Sequence, residues 1–193
     1  MQSICVFCGS SIGALDIYRD DARRMGEAIA RRGLRLVYGG GKVGLMGVVA
    51  DAALQAGGEV LGIIPEALML KEVGHGSLTK LVVTGTMHER KAAMADAADA
   101  FVALPGGFGT FDELCEILTW GQLGIHQKPI GLLDTAGFFS QLTTFFDFVE
   151  QQGFLRPEHR ALLLESSEPD LLLDQLAAWE PRNVAKWADL TVR

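Results

Sequence analysis

Short apolar runs alternate with longer segments of helical periodicity along the whole chain. The short runs contain four to six residues without regular alternation of apolar and polar positions, which is typical of strands covered on both faces. The pattern predicts strands at residues 3–8, 34–38, 59–64, 80–84, 100–104, 129–134 and 161–165. It predicts helices at about residues 16–32, 45–56, 87–98, 110–123, 136–152 and 169–179, with a loop at 65–77.

This strand-helix alternation predicts an α/β fold. Strands that alternate with helices of this length form parallel sheets, since each crossover returns the chain to the same edge. The sequence contains no internal repeat, low-complexity tract or linker. We therefore expect a Rossmann-like doubly wound parallel sheet with helices on both faces, in a single domain that spans residues 1–193.

Composition and charge exclude several classes of protein. The chain has 193 residues, of which 49% are hydrophobic, and a net charge of −7, so a non-specific nucleic-acid surface is not expected. No apolar run approaches the roughly 20 residues that span a bilayer, and no basic start precedes an apolar stretch. We expect a cytoplasmic protein without membrane or nucleic-acid partners.

The cysteines indicate structural thiols in a reducing compartment. Three cysteines, an odd number, do not make a disulfide framework. Cys5 and Cys8 form a C-x-x-C, but they fall in a predicted strand, where side chains three apart point to opposite faces. Both are therefore predicted to be packed thiols, and not a redox or zinc pair.

Four of the predicted strands end in residues suited to ligand binding, and two of these ends are glycine-rich turns. Ligands of open α/β sheets bind outside the carboxyl ends of the strands, and glycine lets backbone N–H groups approach an anion at a helix start. The G-x-G-x-x-G at residues 39–44 follows the second strand, whereas a dinucleotide fold places it after the first. Tight turns for helix packing remain the alternative for this loop. The strand ends concerned are "CGSS" (8–11), "GGGKVGLMG" (39–47), "TGTMHERK" (84–91) and "PGGFGT" (105–110).

The helix after residue 86 carries two cations on its apolar stripe. Spacings of three and four residues place Arg90 and Lys91 on one face with Met87, Met94 and two alanines, Ala95 and Ala98. A buried charge needs a carboxylate, a bound anion or water. A bound phosphate is the favoured partner of this pair, since Arg offers it a bidentate fork, and an internal salt bridge is the alternative.

The segment "TFDE" (110–113) has two interpretations. Thr110 and Glu113 match a capping box, in which Thr caps the helix and Glu reaches back to the N–H of the cap. Beside two glycine turns and an inward-facing Arg-Lys pair, Glu113 is alternatively placed to face a nucleotide sugar. The residues alone leave both interpretations open.

Together these motifs resemble the LOG family, the phosphoribohydrolases that activate cytokinins and were long labelled lysine decarboxylases. Its hallmark P-G-G-x-G-T-x-x-E appears at residues 105–113, with the accompanying Arg90-Lys91, "GGGKVGLMG", "TWGQLGIHQKPIGLLD" (119–134) and Glu72 upstream. The resemblance covers about residues 3–155. Asp112, where plant members commonly carry Glu, keeps the charge.

The resemblance implies hydrolysis of the N-glycosidic bond of purine nucleoside 5'-monophosphates to free base and ribose 5-phosphate. The base would be adenine or an N6-substituted, cytokinin-type adenine, and the enzyme an N-glycosidase of the phosphoribohydrolase or AMP nucleosidase type. Glu113 and Arg90 are the implied catalytic residues. The expected substrate contacts are Glu72, Lys91, Gly106, Gly107, Phe108, Gly109, Thr110, Asp112 and Thr119. Ser10, Gly40, Gly41, Gly44 and Met87 form a further candidate phosphate or nucleotide loop.

Several alternatives and partners complete the expectations. A non-catalytic carrier of a nucleotide or phosphate cofactor is the main alternative, and a pyridoxal-phosphate lysine decarboxylase is a remote one. We expect no cofactor and no metal, since the four histidines show no ligand spacing on one element. An apolar patch of Trp120, Leu123 and Ile125 predicts a homodimer. Plain AMP and an isopentenylated nucleotide both suit a pocket lined by Met46, Met69, Met87 or Phe108.

Overall fold

The structure, a computed structural model, describes residues 1–69 and 74–181. Its strands are β1 (Ser3–Phe7), β2 (Arg35–Tyr38), β3 (Val60–Pro65), β4 (Lys80–Thr84), β5 (Ala100–Ala103), β6 (Ile130–Leu133) and β7 (Leu163–Ser166). Its helices are α1 (Asp16–Arg31), α2 (Gly44–Gln55), α3 (Glu66–Met69), α4 (Met87–Asp96), α5 (Phe108–Leu123), α6 (Ser140–Gln151), α7 (Pro157–Arg160) and α8 (Pro169–Ala178). Every predicted strand is present.

The strands form one sheet of seven in the order β4-β3-β2-β1-β5-β6-β7. All neighbouring strands are parallel. Strands β2, β3 and β4 are added in turn on one side of β1. The chain then crosses back, and β5 pairs with the other side of β1. The sheet order therefore reverses between β1 and β5, which is where open α/β sheets bind ligands.

Helices cover both faces of the sheet, as the sequence predicts. Side chains of α1, α2 and α8 pack on one face, and those of α4 and α5 pack on the other, together with Phe139 just before α6. Alternate residues of β1 divide between the two cores, since successive side chains of a strand point to opposite faces. The result is the doubly wound α/β architecture.

Cys5 and Cys8 confirm this division. Cys5 lies in the core on one side of the sheet and Cys8 in the core on the other. Both thiols are free and buried. Burial raises the pKa of each thiol, and the neighbouring Glu113 carboxylate raises it further, so both are inert packing groups.

Two predicted helix starts differ from the structure. The helix predicted from residue 136 begins at Ser140, after a 3₁₀ turn at Thr135–Gly137. Ala136 and Gly137 have φ angles of 52° and 73°, and this left-handed backbone cannot continue into an α-helix. The helix predicted from residue 110 begins two residues earlier, at Phe108.

No helix in residues 1–69 and 74–181 is long and apolar enough to cross a membrane.

The hydroxyl of Tyr38 gives a stability prediction. Tyr38 is fully buried, and its oxygen has no hydrogen-bond partner among the described residues. Burial raises the pKa of this hydroxyl, so it remains a neutral phenol with no hydrogen bond to any described residue. Because an unpaired buried hydroxyl costs about 1–3 kcal/mol, we expect Tyr38→Phe to leave the free energy of unfolding in urea unchanged or to raise it. A loss above about 1 kcal/mol would reveal a partner for the hydroxyl.

Candidate active site

Three loops meet at the carboxyl edge of the sheet, where β1 and β5 lie side by side. The N–H of Gly9, after β1, donates to the carbonyl of Pro105, after β5, at 3.0 Å. The carbonyl of Gly9 accepts from the N–H of Leu45, in the first turn of α2, also at 3.0 Å. Backbone hydrogen bonds thus join the "CGSS", "GGGKVGLMG" and "PGGFGT" segments at the reversal point of the sheet.

Helix α5 begins in the glycine turn, and its first two residues are exposed. Gly107 is the N-cap, and no side chain in the described part of the protein caps the helix. The first intrahelical bond runs from the N–H of Phe111 to the carbonyl of Gly107 at 3.1 Å, so the three preceding amides have no intrahelical acceptor. Gly107, Phe108 and Gly109 are exposed. Free amides at the positive end of a helix dipole form an anion site.

The capping-box interpretation of Thr110 and Glu113 is wrong. Thr110 lies inside α5 and is 3% exposed. Its hydroxyl packs beneath the turn, since a Cβ on Gly106 would stand 2.1 Å from the Thr110 Oγ1. Only glycine fits at position 106. Glu113 therefore lies one turn into the helix and does not act as its cap.

A capping box is present instead at the start of α4. The N–H of Glu89 donates to the Thr86 hydroxyl at 3.1 Å, and the Glu89 carboxylate accepts from the N–H groups of Gly85 and Thr86. The T-x-x-E pattern at residues 86–89 is the sequence signal of this box, which was not predicted. This cap fixes the first turn of α4, from which Arg90 and Lys91 project.

Arg90 reaches under the glycine turns and meets Glu113. Its side chain is 9% exposed, and that of Glu113 is 12% exposed. The Arg90 Nε donates to the carbonyl of Ile63 at 3.1 Å, and Nη2 donates to the carbonyl of Gly39 at 3.4 Å. Nη2 also lies 3.5 Å from Glu113 Oε1. The carboxyl ends of β2 and β3 thus hold the guanidinium beside the carboxylate.

Lys91 has the internal ion pair that was the alternative to a phosphate partner. Its Nζ lies 3.2 Å from the Asp112 carboxylate and 3.0 Å from the Glu116 carboxylate. Burial by itself lowers the pKa of this ammonium, but the hydrogen bonds to Glu116 and Asp112 outweigh it, and the pKa is raised. Lys91 thereby joins α4 to α5 through two carboxylates, one before and one after Glu113 in the sequence.

Four further predicted site residues lie at the same edge of the sheet as Arg90 and Glu113. Exposed Ser10 packs with its backbone against Gly44, and exposed Met87 has its sulfur 3.3 Å from Arg90 Nη1. Gly40 and Gly41 are buried in the turn after β2. The structure therefore brings together Arg90, Glu113, Met87, Ser10 and the two glycine turns.

Thr119 does not join them. Its hydroxyl donates to the carbonyl of Cys115 at 2.7 Å, and it lines a separate cavity of about 300 Å³ between α5, α6 and α7. Phe108, at the start of α5, is 94% exposed. Met46 is buried, and its sulfur lies near Gly39, where an added Cβ would stand 3.4 Å from it. Glu72 lies outside the described residues.

Two sequence comparisons find close relatives. A family model described as "Possible lysine decarboxylase" matches residues 46–176. Cytokinin riboside 5'-monophosphate phosphoribohydrolase LOG5 of Arabidopsis thaliana is 46% identical over 94% of this chain and 80% of its own length. Probable cytokinin riboside 5'-monophosphate phosphoribohydrolase LOGL9 of Oryza sativa subsp. japonica is 47% identical over 93% of this chain and 79% of its own.

Solved structures share the fold at lower identity. The molybdenum cofactor carrier protein of Chlamydomonas reinhardtii superposes with a TM-score of 0.71 and 23% identity, over 92% of this chain and 99% of that one. The molybdenum cofactor binding protein of Rippkaea orientalis gives a TM-score of 0.69 and 23% identity, over 92% and 96% of the two chains. At this identity the likeness establishes the architecture alone.

Proposed function

We infer the reaction of this protein from one premise: the chain belongs to the LOG family, the group that the "Possible lysine decarboxylase" model also describes. Its relatives at 46% and 47% identity carry the name phosphoribohydrolase. The protein hydrolyses the N-glycosidic bond of a nucleoside 5'-monophosphate, releasing the free base and ribose 5-phosphate. The observation that carries the proposal is the contact between Arg90 and Glu113 beside an uncapped, glycine-rich helix start.

The start of α5 is the proposed phosphate site. The amides of Phe108, Gly109 and Thr110 lack intrahelical acceptors, and the residues Gly107, Phe108 and Gly109 are exposed. A 5'-phosphate placed there receives backbone donors and the helix dipole together. Gly106 and Gly107 leave the approach open, since neither carries a side chain. The ribose would then extend from the phosphate at the start of α5 toward the Glu113 carboxylate, one turn further along the same helix.

Glu113 and Arg90 supply the proposed chemistry. As the C1'–N9 bond breaks, its electron pair leaves with the base and positive charge develops on the ribose. The Glu113 carboxylate stabilises that charge and takes a proton from the water that adds to C1'. Arg90, fixed by two backbone carbonyls, stabilises the negative charge that develops on the departing base. The proton that Glu113 took from water then neutralises the base, which leaves as free base and restores the carboxylate.

Lys91 and Asp112 hold the catalytic helix in this proposal. The Lys91 ammonium already has two carboxylate partners, so we expect Lys91→Met to leave the KM for AMP within about threefold of wild type while it destabilises the α4–α5 contact. Loss of a charge-assisted bond to phosphate would raise that KM at least about tenfold. Steady-state kinetics and urea unfolding of the same variant separate the two roles.

The base that the protein prefers is an N6-substituted adenine of the cytokinin type. The relatives are named for cytokinin riboside 5'-monophosphates. Met69, Met87 and Phe108 are exposed, and they lie in α3, α4 and α5 at the carboxyl edge of the sheet. Exposed apolar side chains at this edge suit an isopentenyl substituent, and plain AMP is the competing substrate.

Base release tests the proposed reaction directly. Liquid chromatography follows free base formed from AMP and from isopentenyladenosine monophosphate, with adenosine as a matched substrate that lacks only the phosphate. We expect release from both nucleotides, faster from the prenylated one, and little from adenosine. A folded wild-type protein that releases no base from either nucleotide would instead favour the non-catalytic carrier, which has no need of a carboxylate beside a sugar.

A homodimer in the cytoplasm completes the proposal. Leu123 and Ile125, at the exit of α5, are 40% and 64% exposed, and a second copy that covers them would remove this apolar surface from water. All three cysteines are free thiols, which suits a reducing compartment. Light scattering at micromolar concentration is expected to give twice the 20.8 kDa of one chain. A monomeric mass would contradict the dimer.

A further inference from the structure

His75 is a buried polar side chain that the proposed chemistry does not use. It is 3% exposed, and both of its ring nitrogens have partners. Nε2 lies 2.9 Å from the Asp51 carboxylate on α2, and Nδ1 accepts from the N–H of Ser77 at 3.4 Å. Because Nδ1 accepts, the ring hydrogen is on Nε2 and is donated to Asp51. A fully satisfied polar group in a core specifies one arrangement of its surroundings.

The segment around His75 fastens the glycine turn that follows β2. The N–H of His75 donates to the carbonyl of Gly40 at 3.3 Å, and Gly74 forms an antiparallel bridge with Gly41. Three consecutive glycines, at 39–41, lose more backbone freedom on ordering than any other tripeptide. This turn therefore depends on contacts from outside it for a fixed position.

The same turn holds Arg90. The carbonyl of Gly39 accepts from Arg90 Nη2, the nitrogen that also faces Glu113 Oε1. The contacts thus run in one chain from Asp51 through the His75 ring, the His75 backbone and the glycine turn to the guanidinium. A shift of about 1 Å in a catalytic group can lower a rate by about 100-fold. Movement of the Gly39 carbonyl would therefore shift the Arg90 guanidinium that donates to it.

We propose that His75 and Asp51 are positioning residues for Arg90, acting through the glycine turn at residues 39–41. The inference rests on the proposed function, because it assigns the pair a part in that reaction. Neither residue touches substrate in this assignment. Their contribution is to the transition state, in which Arg90 must lie in one place, and not to the affinity for the nucleotide.

Kinetics of paired variants test the proposal. We expect His75→Leu to lower kcat for base release from AMP at least about tenfold with KM within about threefold. His75→Gln, which keeps an N–H donor toward Asp51, should recover most of kcat. Asp51→Ala, at a half-exposed position, should reproduce the loss and serves if His75→Leu does not fold. Gln55→Ala, an exposed change one turn further along α2, is the control and should match wild type.

Two further readouts separate positioning from simple destabilisation. In an Arg90→Lys background, His75→Leu should cost much less of kcat than it costs alone, since the positioned group is gone. Hydrogen exchange over residues 39–44 should be at least about tenfold faster in His75→Leu, whatever the turnover. Unchanged kcat in folded variants of an active protein would overturn the positioning role and leave the hydrolase intact. Absence of base release from wild type would instead overturn the hydrolase, and unchanged exchange would overturn the fastening of the turn.

Discussion

Replacing Glu113 by glutamine is expected to lower kcat for base release from AMP by about 1,000-fold, within the range of about 10²–10⁴ for general acid–base groups. Glutamine keeps the size of the side chain but can neither take a proton from water nor offset positive charge on the ribose. The nucleotide should still bind, since the proposed phosphate donors belong to the start of α5. Chromatography of released base and calorimetric titration with AMP measure the two quantities.

Glu116→Gln is the matched control for this experiment. Glu116 lies three residues further along α5 and pairs with Lys91 at 3.0 Å, so the substitution removes a carboxylate of the same helix without touching the Arg90 contact. We expect a change of less than about tenfold in its kcat. Equal losses in both variants would assign the effect to the fold of α5, and unchanged turnover in Glu113→Gln would remove Glu113 from the catalytic role.

Gly44→Ala is expected to lower the free energy of unfolding by about 2–5 kcal/mol, combining left-handed backbone strain with overpacking. Gly44 has a φ of 63°, which alanine tolerates poorly. A Cβ there would stand 2.2 Å from the Ser10 carbonyl carbon and 2.4 Å from the Ser11 nitrogen. The loop after β1 would have to move away from α2, which would disturb the hydrogen bond between Gly9 and Leu45.

Gly57→Ala isolates the conformational part of that loss. Gly57 has a φ of 78°, but an added Cβ would meet nothing within 4 Å. This control should therefore cost only about 1–2 kcal/mol, measured by urea unfolding beside Gly44→Ala. If the two substitutions cost the same, the close approach between residue 44 and the loop after β1 contributes nothing to stability.

The order of elements was predictable because buried parallel strands leave a strong pattern. Unalternated apolar runs such as residues 100–104 can be covered on both faces only in a sheet with helices on each side. Glycine stretches after several of these runs indicated the ligand edge before the strand order was known. The position of β5 beside β1 could not be read from local pattern, since pairing between strands nearly a hundred residues apart depends on the whole sheet.

The start of α5 was predicted wrongly because two local sequence signals favoured different residues. Thr110 and Glu113 have the spacing of a capping box, but the preceding glycines allow the helix to start earlier, at Phe108. The capping box that does form, at Thr86 and Glu89, was not predicted, because the prediction for this helix rested on Arg90 and Lys91. Element type was therefore easier to predict than the residue at which the element begins.

The partners of buried charges could not be derived from sequence. Helical spacing correctly turned Arg90 and Lys91 inward, yet the choice between phosphate and carboxylate depends on which helix packs beside α4. The structure places α5 there, with Asp112 and Glu116 within reach of Lys91. Thr119, one of the family-derived contacts, lies on the same helix but faces a different cavity, because its position along α5 carries it away from the glycine turn.

The sheet order also constrains how this protein folds. Among the described residues, β1 to β4 form one half of the sheet and β5 to β7 the other, and the β1–β5 ladder is the only strand pairing between the two halves. That ladder closes a loop of nearly a hundred residues, and such non-local pairing forms slowly. During synthesis, β1 must wait with one edge open until β5 emerges. The glycine turn after β5 reaches the loop after β1 only through this pairing, so we expect catalytic competence to appear only when the two halves have joined.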